Sequence, residues 1–273
     1  MLEPEELENL TRKAKSVRRH ILEMVHRVNA SHVGAALSAA DILTLVYGRF
    51  LNLSPQNPQA PGRDRFILSK GHAASALYAV LAEFGFYPPP RLEEFCRDGA
   101  RMYGHLNCFA APGLEFSTGS LGHGLSVAAG MALNGKLAGG AYRAWVLLGD
   151  GECNEGQVWE AALFAARHRL DNLVAIIDAN GLQGFGRTQD VLPLEPFADK
   201  WRAFGWGVAE ADGHDLAALE RVFSALPLVP GRPNAVIART VKGKGVSFME
   251  DRLEWHYKSP NPEQLRQALE ELA

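Results

Sequence analysis

The sequence of 273 residues has little of what marks several large classes of protein. Its formal net charge is only −3 at pH 7, which gives no indication of binding to nucleic acid or to an anionic membrane. The first residues lack the basic and apolar regions of a secretory signal peptide, and no stretch reads as long and apolar enough to span a bilayer. We therefore expect a cytoplasmic protein that binds neither nucleic acid nor membrane.

Cysteine is scarce as well, and its spacing matches neither a disulfide framework nor a zinc site. The three residues are Cys96, Cys108 and Cys153, an odd number that fits a reducing compartment. Cys153 lies next to the candidate site described below, where a packed thiol is a better interpretation than a nucleophile. The nine histidines also lack the H-x-x-x-H and H-E-x-x-H spacings, so the sequence does not predict zinc.

No internal repeat, low-complexity tract or linker divides the chain, so residues 1–273 are expected to form a single domain. The hydrophobic fraction of 47% is sufficient for a large core. Two apolar runs, 145–148 and 173–177, read as buried parallel strands, and residues 155–168 between them suit a crossover helix. The pattern predicts an α/β fold, a mostly parallel sheet with helices on both faces.

The rest of the chain continues this alternation of helices and strands. An amphipathic helix is predicted over 5–28, followed by a break at 31–37. The next helix is expected to start at Ser38, where Ser-Ala-Ala-Asp resembles a capping box. The final helix is expected to begin with Asn261 as its cap. Further strands are predicted at 65–68, 206–210 and 234–239, and further helices at 73–84, 92–97, 120–137, 194–204 and 215–225.

Polar clusters follow both central strands, at 149–151 and 178–181. Because ligands of open α/β sheets bind at the carboxyl ends of the strands, we expect Asp150 and Asn180 to lie side by side there. A carboxylate and an amide oxygen suit a hard divalent cation. The glycines beside Asp150 allow close approach to the backbone, and the amides that open the next helix favour an anion. The sequence therefore predicts a site for a metal and a phosphate.

Other interpretations of these loops are less favoured. A lone Gly-Asp-Gly is most often a plain turn. A dinucleotide-binding loop requires G-x-G-x-x-G, whereas the glycines here stand at 149, 151 and 156, and the carboxylate between the first two would repel an unscreened pyrophosphate. Lys242 and Lys244 could reach a phosphate, but Lys-Gly-Lys-Gly is not a P-loop, and two surface lysines are the simpler interpretation.

The histidines divide into two groups. His20, His26 and His168 lie in predicted helices and are given structural or surface roles. His214 follows Asp212-Gly213 in what reads as a surface turn. The others lie in loops or beside glycine, where they could donate to phosphate and sugar hydroxyls or move protons near neutral pH. This second group comprises His32, His72, His105, His123 and His256.

The motif of residues 149–151 together with Asn180 resembles the thiamine-diphosphate motif. The longer string Gly-Asp-Gly-Glu-Cys-Asn-Glu-Gly-Gln-Val-Trp-Glu-Ala resembles transketolases, and more narrowly the amino-terminal subunit of transketolases split into two chains. The similarity extends from about residue 10 to about residue 260. It implies the thiamine-diphosphate-binding fold of the diphosphate domain. It also implies Mg²⁺, or Ca²⁺ or Mn²⁺ as substitutes, held by Asp150, Asn180 and the backbone carbonyl of Leu182.

The resemblance also implies roles for other residues. His32 and His105 match histidines at the substrate, His72 matches one at the diphosphate, and His256 matches one near both. Departures from single-chain transketolases occur at Val33, where proline is usual, and at His123, where glutamine is common. Further implied positions are Gly151 and Asn180 at the cofactor, Gly119, Ser120 and Leu121 at its aminopyrimidine, and Glu155 as an acid of the dimer interface.

The family's second domain, which binds the pyrimidine and activates the cofactor, is not found in the sequence. The resemblance therefore implies a separate carboxyl-terminal subunit that carries it, with a homodimer core inside a heterotetramer. The expected reaction is transfer of a two-carbon ketol unit between sugar phosphates, by default those of the pentose phosphate pathway. Alternatives are half of a synthase or keto-acid dehydrogenase site, or a non-catalytic cofactor-binding protein.

Overall fold

The computed structural model describes residues 2–273. Helices and strands alternate along most of this part of the chain. The strands are Arg65–Leu68 (β1), Ala144–Gly149 (β2), Leu173–Ala179 (β3), Gly207–Asp212 (β4) and Asn234–Arg239 (β5). The helices are Pro4–Arg27 (α1), Val33–Leu45 (α2), Ala74–Glu83 (α3), His123–Leu137 (α4), Gly156–Arg167 (α5), Thr188–Val191 (α6), Phe197–Ala203 (α7), Leu216–Ser224 (α8) and Pro262–Glu271 (α9).

The strands described here form a single parallel sheet in the order β1-β2-β3-β5-β4. Successive side chains of a strand point to opposite faces of a sheet. Trp145 and Leu147 of β2 therefore join a core cluster with α1, α2 and α3, whereas Val146 and Leu148 join one with α4, α5 and α7. Because both faces are covered, the central strands are mainly apolar, with Asp178 near the end of β3 as an exception. The predicted α/β fold with helices on both faces is confirmed.

The register of the sheet fixes where the functional loops leave it. Gly149 of β2 pairs with Asp178 of β3, so the two strands end at the same edge. The loops after β1 and β5 leave at this edge as well, because both strands run parallel to β2 and β3. Four polar strand exits thus converge on one side of the molecule.

The second helix begins earlier than expected. α2 starts at Val33 rather than at Ser38, so the predicted capping box lies inside the helix and is wrong. The glycine at position 34, which contributed to the predicted break, is needed for close packing. A Cβ atom at Gly34 would lie 3.0 Å from Cγ of Lys242 and 3.3 Å from the carbonyl oxygen of Trp255. The glycine therefore marks a close approach of the backbone and not a helix end.

Most other boundaries shift by a few residues. The strands predicted at 65–68 and 234–239 match β1 and β5. The helix expected at 120–137 begins at His123, the one expected at 194–204 is shortened to α7, and the one expected at 92–97 is a 3₁₀ helix over Pro89–Glu94. The cap of the last helix is confirmed, because Asn261 and Gln264 form a reciprocal capping box.

One stretch does have the length and composition of a membrane span, contrary to the expectation from the sequence. It is Val33–Phe50, which comprises α2 and the π-helical turn after it. Within the structure 83% of this stretch is buried. Its apolar character is accounted for by its position between α1 and α3, in the core on one face of the sheet.

A buried polar network joins α1 and α2 to the loop after β5. Arg18 donates to the carboxylate of Asp41 at 2.9 Å and 2.5 Å, and Nδ1 of His214 lies 2.7 Å from the same group. The other ring nitrogen of His214 accepts from the backbone N–H of Val241 at 2.8 Å. His214 does lie in the predicted turn, but its side chain is only 12% exposed, so the expectation of a surface position is wrong for the side chain.

Because of this network, the free energy of unfolding is expected to decrease as the pH falls into the acid range. Burial raises the pKa of Asp41, but the Arg18 guanidinium and the hydrogen bond with His214 outweigh it and lower that pKa to about 2 from a usual 3.8. A carboxyl with a depressed folded pKa stabilises the fold above its unfolded pKa, and this contribution is lost as the pH falls through the folded value.

We predict that Asp41→Asn lowers the free energy of unfolding at pH 6, and that this deficit shrinks by about 2 kcal/mol as the pH falls from 4 to 2. The reason is that the wild-type carboxylate becomes protonated in this range and then resembles the amide. Urea unfolding of both proteins at a series of pH values measures the difference. A deficit that is constant between pH 6 and pH 2 would contradict the prediction.

Candidate functional site

A cleft of about 380 Å³ lies at the carboxyl edge of the sheet. A larger groove, of about 820 Å³, lies between α1 and the C-terminal residues, but its lining includes none of the strand exits. The polar side chains that follow the strands therefore line the smaller cleft and not the larger groove. Its lining contains these residues of the predicted site: His32, His72, His105, Gly119, Leu121, Asp150, Gly151, Glu155, Asn180, Leu182 and His256.

Asp150 and Asn180 are brought together by a hydrogen bond between their loops. The carboxylate of Asp150 accepts from the backbone N–H of Gly181 at 2.7 Å and from that of Gly151 at 2.8 Å. The first of these bonds joins the exits of β2 and β3. Asn180 is nearly buried, and its Oδ1 accepts from the N–H of Leu182 at 3.1 Å. The predicted juxtaposition of the carboxylate and the amide is confirmed.

The donor set fits a cation that is shared with a phosphate. A carboxylate, an amide oxygen and a backbone carbonyl are ligands that Mg²⁺ prefers, but they are too few to complete its coordination. No group of three or more His, Cys, Asp or Glu that could hold a metal occurs among residues 2–273. Burial raises the pKa of Asp150, and a nearby cation would favour its ionised form. The residues therefore suit a metal–diphosphate pair better than a bare metal ion.

A fully buried ion pair lies beneath the cleft. The ammonium of Lys70 contacts the carboxylate of Asp178 and donates to the carbonyl of Ala35 at 3.0 Å. The same carboxylate accepts from the hydroxyl of Ser38 at 2.6 Å and from that of Thr240. Burial raises the pKa of Asp178, but the Lys70 charge and these hydrogen bonds lower it below its usual value. The ionised carboxylate of Asp178 near the end of β3 therefore binds residues after β1 and β5 and a residue of α2.

Lys242 is buried and reaches the cleft, so its interpretation as a surface lysine is wrong. The residue is only 2% exposed, and its Nζ contacts the carbonyl of Leu182 at 3.2 Å and Nδ1 of His256 at 3.0 Å. Burial and the charge of Lys70 lower the pKa of Lys242 to about 8. The strand-exit rule that singled out Asp150 applies equally to the residues after β5 and could have found this lysine.

Four histidines form a cluster around His32. Its ring centroid lies 5.3 Å from that of His72, 5.7 Å from that of His105 and 5.0 Å from that of His256. Burial is the main cause that lowers the pKa of His32 to about 4 and of His256 to about 3, and it lowers that of His72 well below its usual value. These three imidazoles are therefore neutral at pH 7, and each offers one hydrogen-bond donor and one acceptor.

The remaining predicted residues lie around the rim. Gly119 and Leu121 line the cleft, whereas Ser120 lines an adjoining groove of about 430 Å³ together with His123. Glu155 is exposed at the edge of the cleft. Cys153 is fully buried, and burial raises the pKa of its thiol well above the usual value, which agrees with a packed thiol.

The sequence profile of the transketolase thiamine diphosphate-binding domain matches residues 10–271. The chain belongs to this family. The match agrees with the resemblance stated from the motifs and extends slightly further along the chain. The family is defined by a thiamine diphosphate-binding domain, so the match implies that this chain binds that cofactor.

Several relatives within the transketolases match the chain over nearly their whole length. A subunit of the apulose-4-phosphate transketolase of Phocaeicola vulgatus is 40% identical, over 98% of this chain and 95% of the relative. The corresponding subunit of Actinobacillus succinogenes is 43% identical, over 97% and 96%. A 6-deoxy-6-sulfo-D-fructose transketolase subunit of a Clostridium species is 40% identical, over 97% and 96%.

Solved transketolases share the fold. The transketolase of Campylobacter jejuni superimposes with a TM-score of 0.90 at 29% identity. The superposition covers 97% of this chain but only 43% of that one. The transketolase fold of this chain therefore corresponds to less than half the length of that solved enzyme.

We predict that Lys242→Met weakens the binding of thiamine diphosphate with Mg²⁺ by roughly tenfold to a hundredfold, the range for loss of a charged hydrogen-bond partner. Methionine retains much of the buried stem but removes the ammonium that contacts Leu182 and His256. Isothermal titration calorimetry measures the change. Lys15→Met, at an exposed position on α1, is the control, and equal affinities of the two variants would contradict the prediction.

Proposed function

We propose that this chain supplies the diphosphate half of a transketolase active site and that a separate subunit supplies the pyrimidine half. The observation that carries the proposal is the 2.7 Å bond from Gly181 to Asp150, which brings a carboxylate and the amide of Asn180 to one edge of the cleft. The presence of Lys242 in the same cleft adds the positive charge that a diphosphate requires. The relatives whose names describe them as transketolase subunits support the two-chain arrangement.

In the proposed complex Mg²⁺ is held by Asp150, Asn180 and the carbonyl of Leu182. Lys242 donates to that carbonyl in the free chain and would supply positive charge to the diphosphate. When bound, thiamine diphosphate supplies the carbon nucleophile and the electron sink for breaking and forming carbon–carbon bonds. The protein's contribution is to fix the charged end of the cofactor through the metal, the lysine and neighbouring imidazoles. The imidazoles that serve the diphosphate are His72 and His256.

His32, His105 and His256 are proposed to act on the substrate. Neutral imidazoles accept a proton at one nitrogen while the other donates, so they suit the transfer of protons at the hydroxyls of a sugar. His32 is central because its ring contacts the other two. An anion bound in the cleft would raise the lowered pKa of His32 and of His256 and increase their capacity to hold a proton.

The assembly is proposed to be a heterotetramer with two copies of this chain at its centre. Glu155, the implied interface acid, is the N-cap residue of α5. The same helix exposes Leu163 and Phe164, which are 59% and 40% accessible. Exposed apolar side chains next to a polar rim are typical of protein interfaces and support a second copy at this face.

The proposed reaction is transfer of a two-carbon ketol unit from a ketose phosphate to an aldose phosphate, in the cytoplasm. The relatives' names refer to apulose 4-phosphate and to 6-deoxy-6-sulfo-D-fructose, both of which carry an anionic group on the sugar. A keto-acid dehydrogenase or synthase subunit is the less favoured alternative, because the family match is to transketolases.

We predict that the purified chain alone does not catalyse ketol transfer and that activity appears when the pyrimidine-domain subunit is added. The reason is that the proposal assigns the pyrimidine-binding domain, which activates the cofactor, to the other subunit. The two proteins are assayed separately and together with thiamine diphosphate, Mg²⁺ and a panel of ketose donors, pentose phosphates first. Ketol transfer by this chain alone would refute the division of the site between two subunits.

We also predict that His105→Ala lowers turnover by roughly 10²- to 10⁴-fold, the usual effect of removing a positioned acid or base. Cofactor affinity is expected to change far less, because His105 is placed at the substrate and not at the diphosphate. Steady-state kinetics of the assembled enzyme and calorimetry with thiamine diphosphate measure the two effects. His20→Ala on α1 is the control, and equal losses in turnover and affinity would defeat the assignment.

A further inference from the structure

Glu152 is a buried carboxylate at the cleft that neither metal binding nor the histidine cluster uses. It lies in the 3₁₀ turn Gly151–Asn154, two residues after Asp150, and is only 2% exposed. Its side chain is bonded to three segments, which are the loop after β1, the loop before α4 and the end of β2. The hydrogen-bond donors that reach it within the described chain are two backbone N–H groups and a hydroxyl, all of them uncharged.

The two oxygens of Glu152 collect three donors. Oε1 accepts from the backbone N–H of Gly122 at 2.9 Å and from the hydroxyl of Ser69, and Oε2 accepts from the backbone N–H of Gly149 at 3.0 Å. The hydroxyl of Ser69 in turn accepts from the N–H of Gly124 at 3.1 Å. An ionised carboxylate is an acceptor only, so it satisfies these donors without conflict.

The segments joined in this way belong to two different loops of the cleft lining, residues 149–151 (the metal loop) and residues 119–122. Gly149 precedes Asp150 in the metal loop, and Gly122 ends the 119–122 loop, from which Gly119 and Leu121 line the cleft. The 119–122 loop packs closely against the start of α5 at Gly122. Gly122 has a φ of 82°, and a Cβ atom there would lie 2.7 Å from Cβ of Glu155.

We propose that Glu152 is a positioning residue that sets the spacing between the metal loop and the 119–122 loop, so that both ends of one cofactor are held at the same time. This inference rests on the proposed function. A side chain that served only the stability of the fold would affect every ligand of the cleft to the same degree. A side chain that sets a spacing affects a ligand that spans both loops and spares a ligand that reaches only one.

The test compares a ligand that reaches one loop with a ligand that spans both. Magnesium pyrophosphate is the probe for the metal loop alone, and magnesium thiamine diphosphate is the probe for both loops. Glu152→Gln keeps the size of the side chain but replaces one acceptor by an NH₂ group, which must then face an N–H or O–H donor. Both affinities are measured by calorimetry on the chain assembled with its partner subunit.

We expect Glu152→Gln to weaken thiamine diphosphate binding by about tenfold or more, in line with one unsatisfied buried donor, while pyrophosphate binding changes by less than about twofold. Glu271→Gln is the matched control, because Glu271 also accepts from a backbone N–H and a serine hydroxyl, at 2.6 Å and 2.8 Å, but lies outside the cleft. The affinities of the Glu271→Gln protein for magnesium pyrophosphate and for magnesium thiamine diphosphate are expected to equal those of the wild type.

Ser69→Ala is the second variant, for use alongside Glu152→Gln or in its place if that protein does not fold. It removes one donor to Glu152 and is expected to give a smaller loss with the same selectivity for thiamine diphosphate. Equal losses for both probes, or no loss for either, would overturn the inference. A wild-type protein that bound neither probe would overturn the proposed function itself, so the two failures are distinguishable.

Discussion

The structure of the site depends on how two buried carboxylates at neighbouring strand exits are compensated. A charge removed from water must be paired or hydrogen-bonded, or its pKa shifts until the group is neutral. Asp178 has the Lys70 ammonium and two hydroxyls, and its pKa is lowered. Asp150 is bonded only to uncharged donors, and burial raises its pKa. Of these two carboxylates, the one without a charged hydrogen-bond partner is the one that faces the cleft, and the proposed cation would supply that partner.

The same principle explains why several basic side chains of the cleft are uncharged. Burial lowers the pKa of three histidines in the cluster so far that they are neutral at pH 7, whereas the pKa of Lys242 falls only to about 8 and this lysine keeps most of its charge. A neutral imidazole needs less hydration than a cation and is easier to bury. It still donates a hydrogen bond to a phosphate oxygen, and the anion then stabilises the protonated form. Affinity for an anionic cofactor is thereby reconciled with burial of the groups that hold it.

Sequence patterns correctly predicted those helices, strands and strand exits that are determined by residues close together in the chain. The apolar runs of β2 and β3 and the polar residues after them were sufficient to place Asp150 beside Asn180. Contacts between distant parts of the chain were not predictable in this way. His214 reads as part of a surface turn because its partner, Asp41, is 173 residues away. Gly34 reads as a helix breaker because the Lys242 and Trp255 segments that pack against it come from the other end of the chain. The burial of Lys242 has the same origin, since the lysine is covered by loops that the pattern of residues 241–245 does not reveal.

The turn after β2 combines two tasks that a cofactor site must perform together. Asp150 and Glu152 are two residues apart, and the hydrogen bonds of the first reach the exit of β3 while those of the second reach the exit of β1 and the loop before α4. Both side chains are anchored to backbone N–H groups, so their positions follow the sheet and do not depend on flexible side chains. A shift in this turn would therefore move Asp150 and the 119–122 loop of the cleft lining at once. Because a displacement of about 1 Å costs on the order of 100-fold in rate, the double anchoring gives a physical reason for a carboxylate at position 152.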